Sequence, residues 1–145
     1  MYLSKRALLA LVLFSCNSFA STQPKKIEVF YDHSSGSIVE TEVSGVELVY
    51  YRLDKPSSLQ GEINNLLPDN LDDAAAFMSK YANSSEGKRQ IQAIVDGYQG
   101  VGRAYGLGVS KLPATVIDER YVVYGTTDVA KALELWKRKR GGLHE

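Results

Sequence analysis

The hydrophobic positions change their spacing along the chain, and each change marks an element. "IEVFYD", Ile27 to Asp32, is β-branched and aromatic and predicts a buried strand. "HSSGS", His33 to Ser37, is turn material, and "VELVYYRLD", Val46 to Asp54, predicts a second strand that Pro56 ends. Thirteen residues, His33 to Gly45, separate the two. That is enough for a parallel crossover but leaves little room for a helix within it, and Ile38 to Gly45 stays ambiguous.

Helical patterns follow. Leu59 to Leu67 predicts a short helix ended near Pro68, and Asp69 or Asn70 is placed to cap the next, "LDDAAAFMSKYA", with Asp72 and Asp73 in its first turn. "NSSEGK", Asn83 to Lys88, predicts a break. Ile91, Ile94, Val95, Tyr98, Val101 and Tyr105 then form one apolar stripe, which Gly106 and Gly108 terminate. "LPATVID" and "RYVVYG" predict a hairpin turning near Glu119. A closing helix follows, with Thr126 or Thr127 as cap, Val129, Ala132, Leu133 and Trp136 as buried face, and Lys137 to Arg140 at the negative end of its dipole. The order predicts one α/β domain over residues 21–145 with a mixed central sheet flanked by helices.

The first twenty residues have a different character. Lys5 and Arg6 precede the apolar run Ala7 to Phe14, and Ser18 and Ala20 supply the small residues of a cleavage site. This predicts a signal peptide over residues 1–20, cleaved after Ala20, and a periplasmic protein with no transmembrane anchor after processing. "LFSC", Leu13 to Cys16, also resembles a lipoprotein box, which makes Cys16 the alternative, lipid-anchored start. Cleavage after Ala20 removes two of the 17 basic residues, none of the 17 acidic ones and the single cysteine, leaving a net charge of −2. A nucleic-acid partner is not expected from that balance.

Several short stretches carry candidate chemistry. "DHS", Asp32 to Ser34, has the residue types of a hydrolase relay, but neighbours on an extended chain point to opposite sides. His33 is a candidate pH-sensitive contact, and His144 lies in the tail; two distant histidines without cysteine do not predict a metal site. "GYQGVG", Gly97 to Gly102, lies inside the apolar stripe rather than after a strand. It therefore predicts close packing or a bend, not a phosphate loop. "WKRKR", Trp136 to Arg140, reads as a solvated helix end or a contact for an acidic partner or lipid. In "YVVYG" both faces are apolar, so Tyr121 and Tyr124 are candidate interface residues unless the closing helix covers them.

"AYGLGVSKLPATVIDERYVVYG", Ala104 to Gly125, resembles the thioredoxin segment in which a helix ends and a proline opens a strand. The resemblance implies a thioredoxin-like fold and a cis Leu112–Pro113 bond. More narrowly, "LPDNLDDAAAFM" together with Gly97 to Leu133 is similar to a family of exported thioredoxin-like proteins encoded in integrating conjugative elements. That similarity runs from Ile27 to Trp136. It implies service in conjugative transfer, within a type IV secretion-like apparatus, with other proteins of that machinery as partners. In thioredoxins the catalytic thiols follow the first central strand; here the matching stretch holds Ser34 and Gly36. Without a thiolate no thiol–disulfide exchange is possible. The resemblance then implies a non-enzymatic binding groove without cofactor, with Asp32, His33, Ser34 and Ser35 on one wall and Lys111, Leu112 and Pro113 on the other. The alternatives are a structural subunit docked through Tyr121–Tyr124 and an enzyme with unrecognised chemistry at Tyr31 to Ser35.

Overall fold

The computed structural model describes residues 23–38 and 40–141. The expected signal peptide, Cys16 and His144 lie outside the described residues. β1 (Lys26–Tyr31) is followed by a 3-10 turn (His33–Ser35), β2 (Glu47–Arg52), α1 (Lys55–Asn64), α2 (Leu71–Asn83), α3 (Ser85–Gly106), β3 (Ala114–Ile117), β4 (Tyr121–Tyr124) and α4 (Val129–Gly141). Among the described residues these make one four-stranded mixed sheet, ordered β2-β1-β3-β4, and four helices. β1 and β2 are parallel, at a constant offset from Lys26↔Glu47 to Tyr31↔Arg52. β3 is antiparallel to β1, and β4 to β3. Among its described residues the crossover between β1 and β2 carries no regular element beyond the 3-10 turn, in keeping with its short length.

Strand alternation divides the core in two. Ile27, Val29 and Ile117 face Val129 and Trp136 of α4. Phe30, Ala114 and Val116 face Ala104 of α3, with Phe30 stacked on Tyr51 at 5.0 Å. Both faces of the central strands are buried, and with them the polar side chains of Glu28 and Thr115.

Three boundaries differ from the sequence reading, while the expected cap of α2 is in place at Asn70. α1 begins at Lys55, with Pro56 in its first turn, because a missing N–H costs nothing where the helix has no partner for it. The break at Asn83–Lys88 shrinks to Ser84. Its N–H and hydroxyl both donate to the Tyr81 carbonyl, and its Oγ accepts from Gly87 N at 2.9 Å, so one residue ends α2 and begins α3. α2 itself is capped by Asn70, whose Oδ1 accepts from Asp72 and Asp73. On α4 the capping carboxylate is Asp128, accepting from Lys131 N at 3.1 Å; Thr126 Oγ1 accepts from Asp128 N instead.

The largest difference is on α3. Ile91, Val95, Tyr98, Val101 and Tyr105 are exposed, Tyr105 to 88%. The buried residues are Gly87, Gly100 and Ala104. The helix sits so close to its neighbours that only small residues fit underneath, and the large apolar side chains are turned outward. A Cβ on Gly97 would stand 2.6 Å from Pro56 Cγ, and one on Gly100 2.9 Å from Tyr51 Cδ1. This is the close packing that "GYQGVG" predicted.

One buried charge crosses these layers. Glu28, in the middle of β1, is 1% exposed. Arg103 of α3 grips its carboxylate from both sides, Nε to Oε1 and Nη2 to Oε2, each at 2.7 Å, and Lys26 Nζ lies 3.5 Å away. Arg103 also donates to Glu119 in the β3–β4 turn. Burial alone would push the Glu28 carboxyl up, but the Arg103 hydrogen bonds and charge, helped by Lys26, hold it below the ordinary range.

Gly97→Ala and Gly100→Ala should each lower stability by about 1–3 kcal/mol in chemical denaturation. Gly102→Ala, which meets open space, should raise it by about 0.5–1 kcal/mol. Equal effects at all three positions would refute the packing argument. Arg103→Leu should cost about 3 kcal/mol by stranding a buried carboxylate. The lowered Glu28 pKa sets the sign of the acid response. Its contribution is complete above the ordinary glutamate value of about 4.3 and fades as pH falls through the lower folded value. Glu28→Gln should flatten that part of the thermal-melting pH profile.

Candidate functional site

Parallel β1 and β2 leave the sheet at one end, and antiparallel β3 begins there. The last β1–β3 pair is Phe30↔Ala114, so continuing the register sets Tyr31 beside Pro113 and Asp32 beside Leu112. The two expected walls therefore meet at this end by topology. No hydrogen bond or ion pair joins them among the described residues.

The first wall is a self-contained turn. Asp32 is extended, and its Oδ1 accepts from Ser34 N at 3.0 Å, Ser34 Oγ at 2.7 Å and Ser35 Oγ at 2.8 Å. Ser35 Oγ in turn accepts from Asp32 N at 3.1 Å. This reciprocal box satisfies the first amides of the 3-10 turn. The hydroxyls of Ser34, then Ser35, pull the Asp32 carboxyl below its ordinary range. Gly36 follows at φ 82°, a conformation that favours glycine.

His33 leaves this box. Its Nδ1 lies 3.1 Å from Asp54 Oδ2 at the end of β2, while Arg52 donates to both oxygens of Asp54, at 2.9 and 3.1 Å. The Arg52 hydrogen bonds lower the Asp54 carboxyl to about 2. Asp32, His33 and Ser34 thus form no relay: the serine is held by Asp32, and the histidine by a different carboxylate. Asp54 was missed in the sequence. Its signal is the parallel offset, since the register that pairs Tyr31 with Arg52 places Asp54 level with His33.

The second wall follows α3. The Leu112–Pro113 peptide is cis, the conformation the resemblance implies. Pro113 is half-buried, and its carbonyl accepts from Gly125 N at 2.8 Å. Lys111 and Leu112 are exposed. Tyr124 belongs to this end of the sheet: its hydroxyl lies 3.3 Å from Ser110 Oγ and 3.4 Å from Ser110 N, and these contacts lower its pKa. Tyr121 lies on the opposite face of β4, edge-on to Trp136 at 6.4 Å. The two interface candidates therefore serve different surfaces.

Two clefts flank β2, the first at this end of the sheet and the second toward the opposite end, where Glu47 pairs with Lys26. One of about 480 Å³ is lined by Tyr31, Arg52, Lys55, Asp96 and Gly97, among others. Another of about 860 Å³ lies between the loop before β2 and Leu48 and Tyr50, and no residue of either wall lines either cleft. Among the described residues no three His, Cys, Asp or Glu side chains are grouped to hold a metal ion. No helix among them is long and apolar enough to cross a membrane.

A family model matches residues 25–141, from the residue before β1 to the end of α4. The chain belongs to the family described as protein of unknown function (DUF1525). No curated protein and no solved structure matches it. The matched span of this DUF1525 chain includes both walls, the β4 edge and the Glu28–Arg103 pair.

The Asp32 box makes a pH-dependent prediction. With a lowered pKa the box is intact above the ordinary aspartate value of about 3.9 and opens as pH falls through the lower folded value. Asp32→Ala should abolish slowed amide exchange at Ser34 at neutral pH, while His33→Ala should leave it unchanged. Wild-type protection in Asp32→Ala would show that the carboxylate does not hold the turn.

Proposed function

We propose that this DUF1525 domain is a non-enzymatic, redox-inactive thioredoxin-like protein of the bacterial envelope. It serves conjugative transfer, in the type IV secretion-like machinery of an integrating conjugative element, by binding or chaperoning another component. The strand order β2-β1-β3-β4, with β1 and β2 parallel and helices on both faces, supports the thioredoxin-like reading. The observation that carries the proposal is the register that brings the Lys111–Pro113 loop beside the exit of β1. In thioredoxins this is where substrate backbone lies along the loop and the thiols stand opposite it.

Here the residues opposite are Asp32, His33, Ser34 and Ser35. Hydroxyls bound to a carboxylate supply no thiolate, so the place that would hold redox chemistry holds a rigid polar turn. The exposed Leu112 precedes the proline and is positioned to offer main-chain groups to an extended segment. Lys111 adds one positive charge beside it. The chemistry left to such a groove is recognition.

The test is complementation of a deletion strain in a donor–recipient mating assay. Lys111→Glu with Leu112→Asp should lower transfer by about tenfold or more, the effect of losing one anchoring contact. Circular dichroism should show the double variant folded. Cys16→Ser should transfer normally if processing follows Ala20. Normal transfer by the Lys111→Glu, Leu112→Asp variant would eliminate the groove as the working surface.

A further inference from the structure

β4 is an edge strand with one neighbour, β3. The ladder fixes which of its backbone groups are used. Gly125 N donates to Pro113 O, so the alternation directs the main-chain groups of Tyr121 and Val123 toward β3. The other side of β3 agrees, since Asp118 N donates to Lys26 O and the even-numbered residues of β3 serve β1. The N–H and C=O groups of Val122 and Tyr124 therefore point off the edge of the sheet. No backbone hydrogen bond reaches them among the described residues.

Alongside this edge a cleft of about 590 Å³ runs between β4 and α4. Tyr121, Leu135 and Trp136 supply its apolar surface, and Arg120, Arg138 and Lys139 supply three cations. No acidic residue lines it. None of the three cations has an ion pair or side-chain hydrogen bond among the described residues. Arg140, by contrast, is stacked over the Trp136 ring at 4.8 Å. The Trp136 indole N–H is buried without an acceptor.

We propose that this edge is a docking site for an extended acidic polypeptide segment, which adds to β4 as a fifth strand. Its backbone pairs with Val122 and Tyr124, and carboxylates at alternate positions reach Arg120, Arg138 and Lys139. Two features select this occupant. A row of unpaired backbone donors and acceptors is matched by another strand, not by a lipid surface. A second copy of this chain is disfavoured, because isologous pairing of two β4 edges would bring the same cations face to face. The positive charges that keep the edge from pairing with itself are those that choose an acidic partner. The inference is independent of the cis-proline groove.

The probe is the peptide acetyl-Glu-Val-Glu-Val-Glu-Val-amide, titrated into isotope-labelled protein and followed by NMR. Shifts should concentrate at Arg120–Gly125 and Leu135–Lys139, with slowed amide exchange at Val122 and Tyr124. R138E with K139E, both exposed, should weaken binding by about tenfold, while K80E, exposed on α2, should leave it unchanged. Methylating alternate peptide nitrogens of the probe should abolish binding in the register that removes the donors facing β4. A Lys-Val peptide should bind the R138E, K139E protein better than the wild type. The proposal is overturned by equal binding of the Glu-Val and Lys-Val peptides to the wild type, or by shifts at the Lys111–Pro113 loop alone. Binding to phosphatidylglycerol vesicles without any response to the acidic peptide would likewise overturn it and make the cleft a lipid contact.

Discussion

A carboxylate in the middle of the central strand constrains the rest of the fold. Glu28 is on the face of β1 that α3 covers, where a lone charge would be costly. Arg103 must therefore reach it, and a two-pronged guanidinium contact tolerates little sliding of the helix. Fixing Arg103 fixes the neighbouring positions of α3. Ala104 then meets Phe30, Gly100 meets Tyr51 and Gly97 meets Pro56. The same arginine holds Glu119, so the β3–β4 turn is tied to both the helix and the first strand. Asp118 and Glu119 have φ of 49° and 57°, unusual for residues with side chains. Their carboxylates are anchored, Asp118 by the amides of Lys25 and Lys26, Glu119 by Arg103.

What the sequence disclosed was mostly what depends on local pattern. Ile27 to Asp32 and Val46 to Asp54 carry their strand character in composition. Asn70 advertises its cap through the two aspartates that follow it. What it hid depends on how segments meet. The α3 stripe is regular, yet periodicity reports only that apolar residues share a face, not which face a neighbour occupies. The glycines decide that, since Gly97 and Gly100 are on the side that meets Pro56 and Tyr51. Pro56 was read as a strand terminator because proline ends one element as readily as it opens another. Ser84 was lost inside a polar stretch whose composition suggested a loop.

The candidate site divides along the same line. Asp32, Ser34 and Ser35 act within four consecutive residues, so their grouping was visible. The partner of His33 lies a whole crossover away, and only the strand offset reveals Asp54. Tyr121 and Tyr124 stand on opposite faces of β4, as the strand alternation requires, one against Trp136 and the other against Ser110. The Asp32 turn and the β4 edge differ in chemistry, one a polar box of carboxylate and hydroxyls, the other cationic and lined by Trp136.

The β1 strand starts where the Asp118 carboxylate takes the amides of Lys25 and Lys26, at the pole of the sheet opposite the Asp32 turn and the cis-proline loop. Any upstream anchor would thus grip the molecule by its base. The Asp32 turn and the Lys111–Pro113 loop would then face away from it.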